Sequence, residues 1–341
     1  MKAAIFNGAN KPLEVKDVPT PQITDGEILV KVAACGACHT DLHYIDHGVP
    51  TFQKPPLVLG HEISGTVAEL GKDVTSLKQG DRILLPAVLT CGRCVLCRQG
   101  RENICQNMQM FGNHRDGGFA EFVKAPAKDA IPLPPEIPLE EASIIADAVS
   151  TPYHAVVNRA SVKPGDKVAI FGCGGVGINA VQIASALGAV VIAVDVDDKK
   201  LEFAKQFGAA EVVNAKNEKD VAKKIKSITG GGADIAMECI GNSTTIQQAH
   251  SSIRAGGRLC IVGYCEKPTE ITVAKIMFFE QEIVGSLGCR PVDYPRIIEM
   301  ARRNKIQIKP LVTAKFTLDK INEAFDNLRK GIGIRNIVVP R

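Results

Sequence analysis

Residues 167–195 read KVAIFGCGGVGINAVQIASALGAVVIAVD. Lys167 to Phe171 is a short apolar, β-rich run, and Gly172, Gly174 and Gly177 follow it directly in the spacing GxGxxG. A helix-like segment, Ile178 to Leu187, comes next, then a second apolar strand, Val190 to Val194. Glycines at these positions permit a tight turn, let a pyrophosphate approach the backbone, and allow close packing of helix on strand, while the helix N-terminus offers amide donors to the phosphates. Asp195 lies 18 residues after Gly177, at the end of the second strand. A carboxylate there accepts hydrogen bonds from the adenosine ribose hydroxyls and repels a 2′-phosphate, so the stretch predicts an NAD site on Gly172, Gly174, Gly175, Val176, Gly177 and Asp195. No charged residue occurs from Val168 to Val194, but Asn179, Gln182, Ser185 and the glycines break up a membrane-spanning reading.

Working outward, further β-rich runs at Glu211 to Asn214, Asp234 to Cys239 and Arg258 to Val262 alternate with helix-like stretches, which is the pattern of a parallel sheet covered on both faces. Before Thr151 the texture differs. Glycine and proline punctuate short alternating pieces such as Glu27 to Ala33, Ile63 to Leu70 and Phe119 to Val123, so this part reads as mainly β. In the tail, Leu318, Ile321, Ala324, Phe325 and Leu328 form one helical stripe ahead of the strand-like Asn336 to Val339. The length of 341 residues predicts about two domains. An apolar share of 45%, a charged share of 23% and a net charge of +4 from 41 basic and 37 acidic residues suit a soluble enzyme and indicate no nucleic-acid partner. Eleven cysteines in so long a chain, with no apolar signal run in Met1 to Asn10, predict metal-bound thiolates in a reducing cytoplasm and no membrane segment.

Four of those cysteines, Cys91, Cys94, Cys97 and Cys105, follow CxxCxxCx7C. Such a set closes a tetrahedral cage around zinc with no open position, which stabilises a lobe but performs no chemistry. The gap before Cys105 and the lack of a following proline argue against an iron–sulfur cluster. A second, dispersed set comprises Cys38 in Cys38-His39-Thr40-Asp41-Leu42-His43 and His61 with Glu62 in Gly60-His61-Glu62. A catalytic zinc takes three protein ligands and keeps one open position, but spacing alone does not join these residues.

Together with Gly117-Gly118-Phe119-Ala120-Glu121 and Gly333 to Val338, these motifs resemble, in order and through nearly the whole chain, the zinc-containing alcohol dehydrogenases of the medium-chain dehydrogenase/reductase superfamily. The resemblance implies an α/β protein with a GroES-like β-rich catalytic domain from residues 1–149 and 288–341, and a Rossmann domain, a doubly wound parallel sheet, from residues 150–287. The active site is expected in the interdomain cleft. It implies two zinc ions per subunit, one structural on the four cysteines and one catalytic on Cys38, His61 and a third ligand at Asp147, where many relatives have cysteine. Glu62 is the alternative oxygen ligand, and Asp41 is expected to orient His61. Thr40 would take the substrate proton and pass it, by way of the nicotinamide ribose, to His43. His39 and Arg335 would contact the pyrophosphate, Lys200 the adenosine ribose, and Thr151 would pack near the nicotinamide. Substrates would be small alcohols, aldehydes and ketones. Val49 in place of a bulky aromatic, and the absence of aromatics from Pro86 to Thr90, predict room for medium-size primary, secondary or cyclic alcohols. A polyol dehydrogenase of the same superfamily, a zinc-free quinone or enoyl reductase, and a non-catalytic NAD-sensing protein are the rivals. The expected assembly is a homotetramer, or failing that a dimer.

Overall fold

The computed structural model describes residues 1–340; Arg341, the last residue of the tail segment, lies outside the described residues. The chain forms two compact units, one of Met1–Ser150 with Cys289–Arg341 and one of Thr151–Gly288.

The second unit is built on a six-stranded sheet in the order Glu211–Asn214, Val190–Asp195, Lys167–Phe171, Ala233–Glu238, Ile253–Ile261, Glu282–Gly285. Every pairing is parallel. Apolar side chains such as Ala169, Phe171, Ile192, Val194, Ile225 and Leu259 are buried together, each large one contributing about 1.5–3 kcal/mol relative to exposure. From Lys167–Phe171 the chain steps outward twice in one direction and then returns to the other side at Ala233–Glu238. That reversal opens a crevice at the carboxyl end of Lys167–Phe171, where Gly172 stands. Sequence sets the helix ends as well: Asp197 accepts from Lys199 N at the start of Asp198–Gln206, Asp220 accepts from Lys223 N at the start of Val221–Thr229, and Gly230 closes the latter in a left-handed conformation.

In the first unit, a seven-stranded sheet runs Ile131–Pro132, Arg82–Leu85, Glu62–Leu70, Glu27–Gly36, Arg335–Val339, Val312–Thr317, with Phe122–Pro126 also on Glu27–Gly36. Register decides what meets. Gly36 stands opposite Glu62 and also opposite Ile337 of the antiparallel tail strand. The ends of three strands distant in sequence therefore converge just before Cys38, at His61–Glu62 and at Arg335. The tail helix Ile321–Arg329 buries Ile321, Ala324, Phe325 and Leu328, the stripe seen in the sequence, with Leu318 in the turn before it.

One expected strand is displaced. Phe119 to Val123 reads as a strand, yet the strand is Phe122–Pro126, while Phe119 O accepts from Ala4 N at 2.8 Å and Ala120 bridges Ala3. The fully buried Phe119 ring meets Phe325 edge-on at 5.6 Å, so packing against the tail helix overrides the local β preference. Among the described residues no helix is long and apolar enough to cross a membrane.

Candidate active site

Cys38 is the N-cap of the helix His39–Ile45, and Asp41, three residues on, reaches back with Oδ2 to accept from Cys38 N at 3.1 Å. The other oxygen of Asp41 accepts from Gly60 N at 3.3 Å. One fully buried carboxylate thus ties together the two segments that carry Cys38 and His61. Gly60 sits at φ +96, and a Cβ there would press within 2.7 Å of the Cys35 sulfur, so the bend that presents His61 requires glycine. Cys35, the other half of a CxxC with Cys38, is buried and forms no disulfide; its thiol donates to Gly36 O at 3.8 Å.

Asp147 arrives from elsewhere, as the residue that caps the carboxyl end of the tight helical segment Glu141–Ala146, with φ −142. Its Oδ2 lies 3.8 Å from Cys38 Sγ and 3.4 Å from His61 Nε2, and one atom each from Cys38, His61, Glu62 and Asp147 fall within 4.8 Å of one another. Ligand bonds of about 2.0–2.3 Å to a tetrahedral zinc require such separations. Both ring nitrogens of His61 are buried without a hydrogen-bond partner; Nδ1 faces Asp41 Oδ1 at 3.7 Å, a charge contact too long for a hydrogen bond. Burial opposes a charge on this imidazole, yet the carboxylates of Asp41 and Asp147 push its pKa well above the ordinary value. The surroundings therefore favour positive charge at a spot lined by sulfur, nitrogen and oxygen donors, which a zinc ion fits.

Glu62 is fully buried and paired with Arg335, whose guanidinium is 4% exposed. Burial lifts the Glu62 carboxyl to about 7 while Arg335 opposes the rise. Sequence spacing gives no hint of this pair, because its members are 273 positions apart and meet only through the sheet register. Thr40 Oγ1 lies 3.6 Å from Cys38 Sγ; His43 is half-buried on the same helix, and His39 is exposed.

The four-cysteine set is also assembled. Sulfur separations are 3.4 Å for Cys91 and Cys105, 3.5 Å for Cys94 and Cys97, and 3.9 Å for Cys91 and Cys97 and for Cys94 and Cys105. These are the edges of a zinc–thiolate tetrahedron, about 3.8 Å for bonds of about 2.3 Å, and far exceed a disulfide bond. Backbone amides point at the sulfurs, Cys94 N at Cys91 Sγ (3.3 Å) and Asn107 N at Cys105 Sγ (3.3 Å). The amides of Arg93 and Cys94 hold the Cys91 thiol down to about 6, whereas burial pushes Cys97 up to about 12 in the absence of a cation.

In the second unit, Asp195 Oδ2 accepts from Cys173 N at 2.7 Å and Oδ1 from Val196 N and Asp197 N, so the carboxylate fixes the glycine loop against the strand end. A Cβ on Gly174 would point into open space, and one on Gly177 would overlap the Gly172 carbonyl. An open backbone at the N-terminus of the helix Gly175–Ala186 fits a pyrophosphate. Gly175 and Val176 open that helix, Lys200 is half-exposed on the next one, and Thr151 lies in the short helix Ser150–Tyr153. Arg115, two residues before Gly117, is committed to Glu27 at 3.1 Å and stands over the Phe111 ring.

Known proteins resemble this chain over most of its length. The alcohol dehydrogenase GroES-like domain matches residues 24–135, and the zinc-binding dehydrogenase domain matches residues 175–303. An alcohol dehydrogenase of Geobacillus stearothermophilus is 40% identical over 332 residues, 97% of either chain. The chain belongs to the zinc-type alcohol dehydrogenases of the medium-chain dehydrogenase/reductase superfamily. It is accordingly an oxidoreductase with zinc and a nicotinamide dinucleotide as its cofactors. Other members of the family differ in what they handle: a sorbitol dehydrogenase of Bacillus subtilis is 35% identical, covering 96% of this chain and 93% of its own. A structure described as a zinc-binding dehydrogenase of Sinorhizobium meliloti bound to NADP superposes with a TM-score of 0.92 at 30% identity, covering 99% of each chain.

Proposed function

We propose that this dehydrogenase catalyses the reversible, NAD-linked oxidation of medium-size primary, secondary or cyclic alcohols to aldehydes or ketones. The observation that carries the reading is the convergence of Cys38 Sγ, His61 Nε2 and Asp147 Oδ2 on one point, with the Thr40 hydroxyl 3.6 Å from the sulfur. When bound, zinc supplies the Lewis acidity that makes an alcohol easier to deprotonate, and the nicotinamide supplies the hydride acceptor. Cys38, His61 and Asp147 hold the metal, and Glu62 is the alternative oxygen donor, kept close by Arg335. Asp41 holds the two ligand segments together through the Cys38 and Gly60 amides. Thr40 takes the hydroxyl proton, and His43, one turn further along the helix, exchanges it with water near neutral pH.

Gly172, Gly174, Gly175, Val176 and Gly177 cradle the pyrophosphate with His39 and, from the tail, Arg335; Asp195 and Lys200 take the adenosine ribose, and Thr151 lies against the nicotinamide. The Asp195 carboxylate at the strand end supports NAD over NADP, because a 2′-phosphate would meet like charge. Cys91, Cys94, Cys97 and Cys105 hold a second, structural zinc. Free thiols throughout support a cytoplasmic setting. Self-association as a homotetramer, or failing that a dimer, is supported by the strand Glu282–Gly285, paired on one side only, and by the exposed Val273, Met277 and Phe278 of the helix that precedes it.

The acidic third ligand, together with the sorbitol-dehydrogenase relative, supports a polyol substrate as the second reading. The test is reduction of NAD and of NADP by the purified protein with short, long, secondary, cyclic and polyhydroxy alcohols, before and after zinc removal and return. Turnover with medium-size alcohols and NAD that disappears and returns with zinc is expected. A strong preference for ethanol would contradict the wide pocket, preference for sorbitol-like substrates would establish the second reading, and turnover indifferent to zinc would overturn both.

A further inference from the structure

At the carboxyl end of the helix His39–Ile45, His43 and His47 stand four positions apart, and their Nδ1 atoms lie 3.1 Å from one another with the ring planes at 50°. Without a cation one ring donates its Nδ1 proton to the other. Two nitrogens bound to a single zinc at about 2.0–2.1 Å are separated by about 3.3 Å at a tetrahedral angle and about 2.9 Å at a right angle. The observed separation lies between these values, so both Nδ1 atoms reach a single cation once each ring turns its lone pair from the other ring toward the ion. His47 is exposed and His43 half-buried, which leaves room for water to complete the coordination.

The surroundings suit the exchange. Carbonyl groups at a helix carboxyl end carry partial negative charge and favour a cation. Asp46, between the two histidines, accepts from Arg329 with both oxygens at 2.8 Å, which neutralises the guanidinium, and His47 also helps to hold this carboxylate in its charged form. The turn carrying His47 is fixed by Asp46 N donating to Leu42 O at 2.8 Å and Val49 N donating to His43 O at 3.1 Å. Imidazole pairs prefer zinc, copper and nickel over calcium or magnesium.

We propose that His43 and His47 form a metal site of their own, a bidentate imidazole pair for a divalent transition cation such as zinc, and that its occupation inhibits turnover by capturing His43. The inhibitory half rests on the proposed role of His43 as the proton outlet; the binding half does not. The test uses the zinc-loaded holoenzyme, as wild type, His47→Ala and His47→Gln, dialysed against rising free zinc. Zinc per chain is counted, and alcohol turnover is read against each protein's own rate at limiting zinc. Wild type is expected to take up one more zinc per chain than either variant and to lose turnover by at least about tenfold over the same range, a loss absent from both variants. Equal uptake by all three proteins, or no extra uptake by wild type, would overturn the site. Extra uptake by wild type alone with turnover unchanged would overturn the inhibitory half. Were no alcohol oxidised at all, the uptake difference would still decide the site, so its failure is distinct from failure of the alcohol reading.

Discussion

The two clusters of potential metal donors in this protein are built in opposite ways. Four sulfurs from Cys91 to Cys105 close on one another within a single loop, each at a tetrahedral edge distance from its neighbours, and the backbone amides of the same loop point at them. Four thiolates fill a tetrahedral zinc site and leave no open position. The other cluster draws Cys38, His61, Glu62 and Asp147 from three separate segments: the sheet register and Asp41 join the first two segments, and Asp147 comes in after the helical turn Glu141–Ala146, whose lead-in accepts from Ser64 Oγ at Leu139 O. It mixes sulfur, nitrogen and oxygen, has a hydroxyl beside the sulfur, and lies in a field that favours positive charge. A local cage serves the fold, and a cluster that needs the fold to exist is free to perform chemistry.

The largest expected contrast comes from His61→Ala, which removes a ligand from the dispersed cluster alone. It is expected to lower kcat/KM for alcohols by about a thousandfold or more while the four-cysteine zinc stays bound; steady-state kinetics with metal analysis checks this. Cys105→Ser opens the cage and is expected to cost about 3 kcal/mol, seen as a fall in Tm of about 6–12 °C. Turnover per folded molecule at low temperature should remain near that of wild type, and a collapse of kcat there would break the division of labour. Asp41→Asn sharpens it: zinc affinity at the dispersed cluster should weaken by about 10–100-fold, with no change at the cage, as read by competition with a chromophoric chelator. The smallest effect is one of pH. Because the Arg93 and Cys94 amides hold the Cys91 thiol down to about 6 from 9.0, it is a thiolate above that pH and protonated below it. Zinc uptake by the emptied cage should therefore slow as the pH falls through about 6, measured by stopped-flow metal binding.

What was legible in the sequence follows the same contrast. The glycine loop with its strand, helix and Asp195 lies within one short stretch, and the cage within a shorter one, so spacing alone exposes both. Asp147 is 109 positions from Cys38, and nothing in its neighbourhood marks it; only likeness to relatives nominates it. Arg335 is legible as a tail residue of the family pattern, but its burial on Glu62 depends on Gly36 facing two strands at once, which no local pattern encodes. Phe119 shows the converse, a residue with strand-like neighbours whose ring is claimed by the tail helix.

The most direct test of the central claim compares zinc content and alcohol turnover in Cys38→Ala and Cys105→Ala, purified side by side with wild type. The account predicts two zinc ions per chain in wild type and one in each variant, with turnover abolished in Cys38→Ala and retained in Cys105→Ala. Turnover surviving in Cys38→Ala, or lost equally from both while Cys105→Ala stays folded, would contradict it.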